Sequence, residues 1–104
     1  MGTDMGELTS HVDGDTLYLS GDIDLHQAQK FRALGEAHIG QTATPRLDMS
    51  RVPYLDSAGL ATLLSLSRIS KAQSKRLRIV ATGSPRRVLR ITGLDQVLAC
   101  EDPE

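Results

Sequence analysis

Residues 47–64, Leu-Asp-Met-Ser-Arg-Val-Pro-Tyr-Leu-Asp-Ser-Ala-Gly-Leu-Ala-Thr-Leu-Leu, constrain the fold more than any other stretch of the chain. A short apolar strand from Leu47 to Met49 leads through Pro53 into a tight turn at Leu55-Asp56-Ser57. A Leu-rich helix then begins near Ala58 and runs to about Gln73. Ser57 falls where a helix N-cap is expected, since a Ser side chain there accepts a hydrogen bond from an otherwise unpaired backbone N–H. Gly59 falls in the first turn, where a missing side chain lets another backbone or a ligand approach closely. Along the helix Leu60, Leu63 and Leu64 form one stripe, while Leu66 and Ile69 point to other sides. The pattern leaves one face for the core and another for a partner.

The rest of the chain alternates strand and helix around this unit. Glu7 to Val12 and Thr16 to Ser20 read as a β-hairpin about the turn signal Asp13-Gly14-Asp15, with Leu17 and Leu19 alternating against polar neighbours. Asp24, with Gln27 three residues on, has the form of a capping box. Leu25, Ala28, Phe31, Leu34 and Ile39 recur at helical spacing, and Gly40 stands at a left-handed helix stop. An intervening helix makes the strand at Arg46 to Met49 run parallel to the one at 16–20. Leu77 to Ala81 reads as a further strand. Ser84-Pro85 reads as a helix start, with Ser as N-cap and Pro first in the helix. That helix ends near Thr92 at Gly93. Leu94, Val97 and Leu98 are expected to pack back on the core, with a short strand near Val97 to Ala99. The order argues a single α/β domain over residues 1–104, with a mixed four- to five-stranded sheet and helices mainly on one face. Its core spans about 7–99, with flexible ends at 1–6 and 100–104.

Composition narrows the class. At 104 residues, 39% hydrophobic and 24% charged, the chain suits one globular domain. The lone cysteine, Cys100, cannot form an internal disulfide, which fits a reducing cytoplasm. No apolar run approaches the roughly 20 residues of a membrane span, and the polar, acidic start is unlike a signal peptide. Net charge is only −1, but it is unevenly placed. Residues 1–56 hold nine acids and four bases, residues 57–94 eight bases and no acid, and the last ten residues four acids and no base. Such asymmetry marks either a binding face or the solvated sides of helices.

The residues exclude most enzyme chemistry. His11, His26 and His38 are scattered without metal-ligand spacing. Ser57 does not lie in a Gly-x-Ser-x-Gly elbow, and no Gly-rich loop with Lys is present. Cys100 has no neighbouring base. Asp22, Asp24, Asp48 and Asp56 are candidate cation ligands only by residue type, and Asp24 already has a capping role. The basic run from Arg68 to Arg90 raises nucleic-acid binding. The pI of about 6.3 and the lack of aromatic residues in the run rank it below protein binding.

Asp56-Ser57-Ala58-Gly59-Leu60, preceded by Gly21-Asp22-Ile23-Asp24 and followed by the Ser84-Pro85 to Gly93-Leu94 helix, resembles the STAS domain. This is the family of bacterial anti-sigma-factor antagonists and of sulfate-transporter tails, and the likeness covers roughly residues 8–98. Without a membrane span the chain reads as free-standing, not as such a tail. The resemblance implies a STAS-like fold, no enzymatic activity and no cofactor or metal. It implies a phosphorylation switch at Ser57 and a partner surface at Asp22, Asp24, Asp56, Ser57, Ala58, Gly59 and Leu60. Asp24 and Asp56 would orient the Ser57 hydroxyl or contact the kinase. The implied partners are an anti-sigma factor that is also a serine kinase of the histidine-kinase-like ATPase type, and a serine phosphatase. Weak homodimerisation stays open. Ala58 replaces a second Ser that many antagonists carry. The Leu-Asp-Met-Ser-Arg-Val phrase and the Gly-Leu-Ala-x-Leu-Leu helix start are also similar to a small STAS subunit of an ABC-type lipid-transport complex. Such a subunit docks on its ATPase without a phosphate cycle.

Overall fold

The computed structural model describes residues 7–103. Strands β1 (Thr9–Asp13) and β2 (Thr16–Ser20) form the hairpin, followed by α1 (Ala28–Gln41) and β3 (Arg46–Arg51). Next come α2 (Ser57–Ala72), β4 (Arg78–Val80), α3 (Gly83–Ile91), a 3-10 turn (Leu94–Gln96) and β5 (Ala99–Glu101). Gly14 takes φ +63° in the hairpin turn, a conformation that other residues rarely adopt. The sheet order is β1-β2-β3-β4-β5, with β1 antiparallel to β2 and every other pair parallel. Each helix is thus a crossover that returns the chain to the next place in the sheet.

Period-two alternation sorts the strands into two faces. Leu17, Leu19, Leu47, Met49 and Ile79 point into one core with Phe31, Ile39, Leu63, Leu66 and Leu89 of the helices. The opposite face carries His11, Tyr18, Asp48 and Ser50 along an open groove, and the His11 and Tyr18 rings stack at 4.9 Å. The mixed five-stranded sheet with helices on one face therefore follows directly from the strand patterns. The helices cross closely as well, for a Cβ on Gly35 of α1 would stand 2.5 Å from Leu66 Cδ1 of α2.

Several boundaries move from the sequence expectation, each for a local reason. Asp24 does not open α1 directly. Its Oδ1 accepts the N–H groups of His26 and Gln27 at 3.0 and 3.2 Å, closing a separate turn, and α1 starts at Ala28. Leu25 sits on that turn and is 70% exposed, not on the buried helix face. Gly40 is an ordinary helical residue, because α1 continues to Gln41 and ends at Thr42 in extended conformation. Thr82, not Ser84, is the residue before α3, and Pro85 lies third in the helix, buried. Gly93 does adopt the left-handed stop, at φ +77°.

At the chain end Leu98 is buried and Leu94 packs against the core, but Val97 is 71% exposed. The last strand lies at 99–101, so Cys100 and Glu101 are paired in the sheet instead of belonging to a loose tail. Glu101 meets Arg46 at 3.2 Å, and Asp102 meets Arg86 at 3.7 Å. His38 lies on the inner side of α1. It is 2% exposed, and its Nε2–H donates to the Asp15 carbonyl at 2.7 Å.

Candidate partner-binding site at the start of α2

Two irregular segments run side by side beyond the ends of β2 and β3. The Gly21 N–H donates to Arg51 O at 3.1 Å, the Ile23 N–H to Tyr54 O at 3.0 Å, and the Asp56 N–H to Ile23 O at 3.2 Å. Ile23 and Leu55 form a parallel bridge, and both side chains are buried. This ladder carries the loop 21–25 alongside the start of α2, so residues far apart in sequence share one edge of the molecule.

Asp56, and not Ser57, is the N-cap of α2. Its Oδ1 accepts the Gly59 N–H at 2.9 Å, while its Oδ2 accepts the Leu25 N–H at 3.0 Å. The expected cap is therefore one residue early, and the shift matters for chemistry. Ser57 becomes the first helical residue, exposed, and its hydroxyl has no hydrogen-bond partner among the described residues. Among the described residues the N–H groups of Ser57 and Ala58 are the donors of the first turn that remain open, since Gly59 is capped and Leu60 donates to Asp56 O at 2.9 Å. A helix start with open N–H groups and the positive end of the dipole is suited to an anion.

The other expected site residues divide. Asp22 and Asp24 lie half-buried on the neighbouring loop, and Ala58 and Leu60 are half-buried on α2. Gly59 does not reach the surface. A Cβ there would stand 2.6 Å from the Ile23 carbonyl oxygen and 2.6 Å from Leu55 Cδ1, so its role is to let the loop backbone close on the helix. Asp56 and Asp24 both spend carboxylate oxygens on backbone N–H groups, which accounts for them as caps. The four candidate cation ligands are not gathered, and no group of three or more metal-binding side chains forms among the described residues. The exposed apolar face expected on α2 is largely absent, because Leu66 is fully buried and Leu60, Leu64 and Ile69 pack against the core. Leu25 and Tyr54, 70% and 50% exposed, instead lie on the segments that lead to the start of the helix. Helical periodicity had placed Leu25 inward. Only the turn capped by Asp24 reverses it.

Residues 7–99 match the protein family described as Mlab, STAS domain. The chain belongs to the STAS family. This STAS domain is 26% identical over 98 residues to the anti-sigma-B factor antagonist of Listeria monocytogenes, covering 92% of this chain and 83% of that one. Its fold is similar to an anti-sigma factor antagonist from Mycobacterium paratuberculosis, at a TM-score of 0.72 and 23% identity over 89% of this chain and 82% of that chain. It is also similar to the Bacillus cell-fate determinant SpoIIAA in its phosphorylated form, at a TM-score of 0.68 and 22% identity over 93% and 91% of the two chains. Among the described residues no helix of the STAS domain is long and apolar enough to cross a membrane. Its one cysteine, Cys100, is half-buried, and burial pushes its thiol above the ordinary value. The thiolate needed for nucleophilic chemistry is correspondingly disfavoured.

Proposed function

We propose that this STAS domain is a cytoplasmic anti-sigma-factor antagonist that regulates transcription by partner switching. In its unphosphorylated form it binds an anti-sigma factor that is also a serine kinase of the histidine-kinase-like ATPase type. Phosphorylation of Ser57 releases that partner, and a serine phosphatase restores binding. The domain itself is a binding module, and the ATP and catalytic groups belong to the partner. The observation that carries this reading is the position of Ser57, exposed at the first position of α2, with a hydroxyl that is without a partner among the described residues because Asp56 supplies the cap. A kinase can reach such an oxygen without unfolding the helix.

The physical consequences favour a switch at the interface over a switch in the fold. A phosphate brings about −1.5 to −2 charges. The open N–H groups and the dipole of α2 accommodate that charge. Next to Asp56, and near Asp22 and Asp24 on the adjoining loop, it builds a strongly negative patch. Leu25 and Tyr54, the exposed apolar contacts beside it, then face a partner across a charged, hydrated group. The contact surface proposed is Asp22, Asp24, Ser57, Ala58 and Leu60 with Leu25 and Tyr54, with Asp56 and Gly59 shaping it from below.

A second reading rests on the family description, Mlab, STAS domain, which differs from the antagonist names of the relatives. Under it the same surface is a permanent dock on the ATPase of an ABC-type lipid-transport complex, and Ser57 is never modified. Intact mass of the protein from the cells that make it, before and after phosphatase, separates the two. Phosphate mapped to Ser57, with kinase binding lost in Ser57→Asp and kept in Ser57→Ala, is the expected result. A wholly unmodified protein under both growth and stress would overturn the switch in favour of the constitutive dock.

A further inference from the structure

The basic run in the second half of the chain has no part in the site at Ser57. The structure separates its members by what they do. Lys75 Nζ donates to the Ile39 carbonyl at 2.6 Å, satisfying a free carbonyl near the end of α1. Arg78 pairs with Asp15 at 2.8 Å, and Arg86 pairs with Asp102 at 3.7 Å. Five remain: Arg87 and Arg90 lie exposed on α3, and Arg68, Lys71 and Arg76 lie on and just after α2. The last three are exposed, and among the described residues none of them has an ion-pair or hydrogen-bond partner.

Arg68, Lys71 and Arg76 border one concavity. The C-terminal half of α2, the turn after it and residues 96–99 enclose an open groove of about 540 Å³. Arg68 and Lys71, one helical turn apart, stand along one wall with Arg76 beyond them, and among the described residues no acidic side chain lines the groove. The floor is apolar, with half-buried Leu64 and buried Leu77 and Leu98. Val97 lines the same groove and is 71% exposed, where the sequence pattern had placed it in the core. Basic side chains on a solvated helix need no partner. An uncompensated basic wall over an apolar floor is a different arrangement, because it offers a charge complement and a desolvated contact together.

We infer that this groove docks an acidic amphipathic helix of a partner protein, apolar face on the floor and carboxylates against Arg68, Lys71 and Arg76. The surface has the form of helix-in-groove recognition. Its concavity disfavours a flat lipid surface. The absence of an aromatic residue from the groove disfavours single-stranded nucleic acid, which is held largely by stacking. The chain's own acidic end is not the occupant, because Glu101 and Asp102 already pair with Arg46 and Arg86. The groove lies along the C-terminal half of α2, with Leu64 at its near edge about 10 Å and Arg68 about 16 Å along the helix axis from Ser57. One domain can thus hold a partner here while Ser57 is engaged, free or phosphorylated.

The test uses the full chain and a fluorescein-labelled synthetic helix with Glu on one face and Leu on the other. Comparators are a shuffled peptide of the same composition, phosphatidylglycerol vesicles and oligo(dT). Anisotropy reads affinity, and amide chemical shifts read location. The amphipathic peptide is expected to bind in a salt-sensitive manner and to shift residues 64–76 and 96–99. Arg68→Glu/Lys71→Glu/Arg76→Glu is expected to weaken it by about tenfold or more, since like charges then face each other. Val97→Ser should weaken it by a smaller factor, and Ser57→Asp should leave it unchanged. Circular dichroism melts confirm folding, and the corresponding triple Ala variant replaces the Glu variant if that one does not fold. Equal binding by the shuffled peptide, no loss in the triple variant, or shifts spread over Arg87 and Arg90 would overturn the proposal. So would vesicles or oligo(dT) occupying the groove in preference to the peptide. Loss of peptide binding in Ser57→Asp would overturn the independence of the two surfaces. None of these outcomes bears on whether Ser57 is phosphorylated.

Discussion

The Asp56 carboxylate reaches across the fold to the backbone N–H of Leu25, 31 positions earlier in the chain, at 3.0 Å. Its other oxygen caps α2 through Gly59 at 2.9 Å. One side chain therefore starts the helix and ties it to the loop that completes the candidate surface. Asp56→Ala is expected to cost about 1–3 kcal/mol, the sum of a lost cap and a lost charge-assisted bond at a half-buried position. Asp56→Asn should recover part of it, since only one of its two polar atoms can accept. Urea denaturation of both variants measures the difference.

Ser57 contributes no cap and no hydrogen bond among the described residues, so changes there should leave stability nearly untouched. Ser57→Ala and Ser57→Asp are each expected within about 0.5 kcal/mol of the wild type. The Asp variant gains slightly from the helix dipole. Thermal melts that fell by many degrees would show the hydroxyl to be structural.

Gly59→Ala should destabilise by about 1–3 kcal/mol, even though Ala is the better helix former by ~1 kcal/mol. The added Cβ would meet the Ile23 carbonyl oxygen at 2.6 Å, and a backbone atom in a hydrogen-bonded ladder cannot move aside. Gly35→Ala is the informative contrast. There the Cβ meets Leu66 Cδ1 at 2.5 Å, the end of a side chain that can turn. Gly35→Ala is expected to cost less than Gly59→Ala in the same denaturation series.

Leu63 and Leu66 are both fully buried on α2. Truncation of either to Ala is expected to cost about 2–5 kcal/mol, the range for a large side chain removed from a packed core. Ile91→Ala, at a position 74% exposed, should fall within about 0.5 kcal/mol of wild type. Equal losses at Leu66 and Ile91 would contradict the assignment of faces.

Asp15 joins the hairpin turn to β4 through Arg78, at 2.8 Å, and also accepts from the Thr44 hydroxyl at 3.2 Å. The hydrogen bond from Arg78 holds its carboxyl below the ordinary value of 3.8, against a smaller opposing effect of desolvation. A carboxyl whose folded value is depressed adds stability above its unfolded value, and loses it as pH falls through the folded one. Wild type should therefore exceed Asp15→Asn in stability at neutral pH, and the gap should close as the pH is lowered through 4 and below. Urea midpoints at pH 7 and pH 3 test the sign.

Much of this domain was legible along the chain, because the informative signals are local. Leu17 and Leu19, Leu47 and Met49 show their buried face by period-two alternation. Gly14 and Gly93 mark turns that need positive φ, and both adopt it. The Asp-Ser-Ala-Gly start of α2, set after a parallel strand, located the candidate surface and its serine.

Local pattern could not say which of two adjacent capping residues takes the cap. Asp56 and Ser57 are both good caps. The choice fell to Asp56 because its second oxygen meets Leu25 N–H, a bond that exists only once the loop 21–25 lies beside the helix. The same limit explains Leu25, which fits a helical stripe but sits on a turn. It explains Leu66, whose burial depends on the closeness that Gly35 allows between α1 and α2. It explains Arg68, Lys71 and Arg76 as well. A run of bases shows charge but not which members find partners. Asp15, Asp102 and the Ile39 carbonyl took three of the run, while Arg68, Lys71 and Arg76 border one groove and Arg87 and Arg90 stand apart on α3. The sequence by itself determined the order of the elements, the inward faces of the central strands and the place of Ser57 at a helix start, through periodicity and capping chemistry that act over a few residues. The tertiary structure alone decided which oxygen caps, which leucines are covered and which charges stay free, because each depends on atoms brought together from distant parts of the chain.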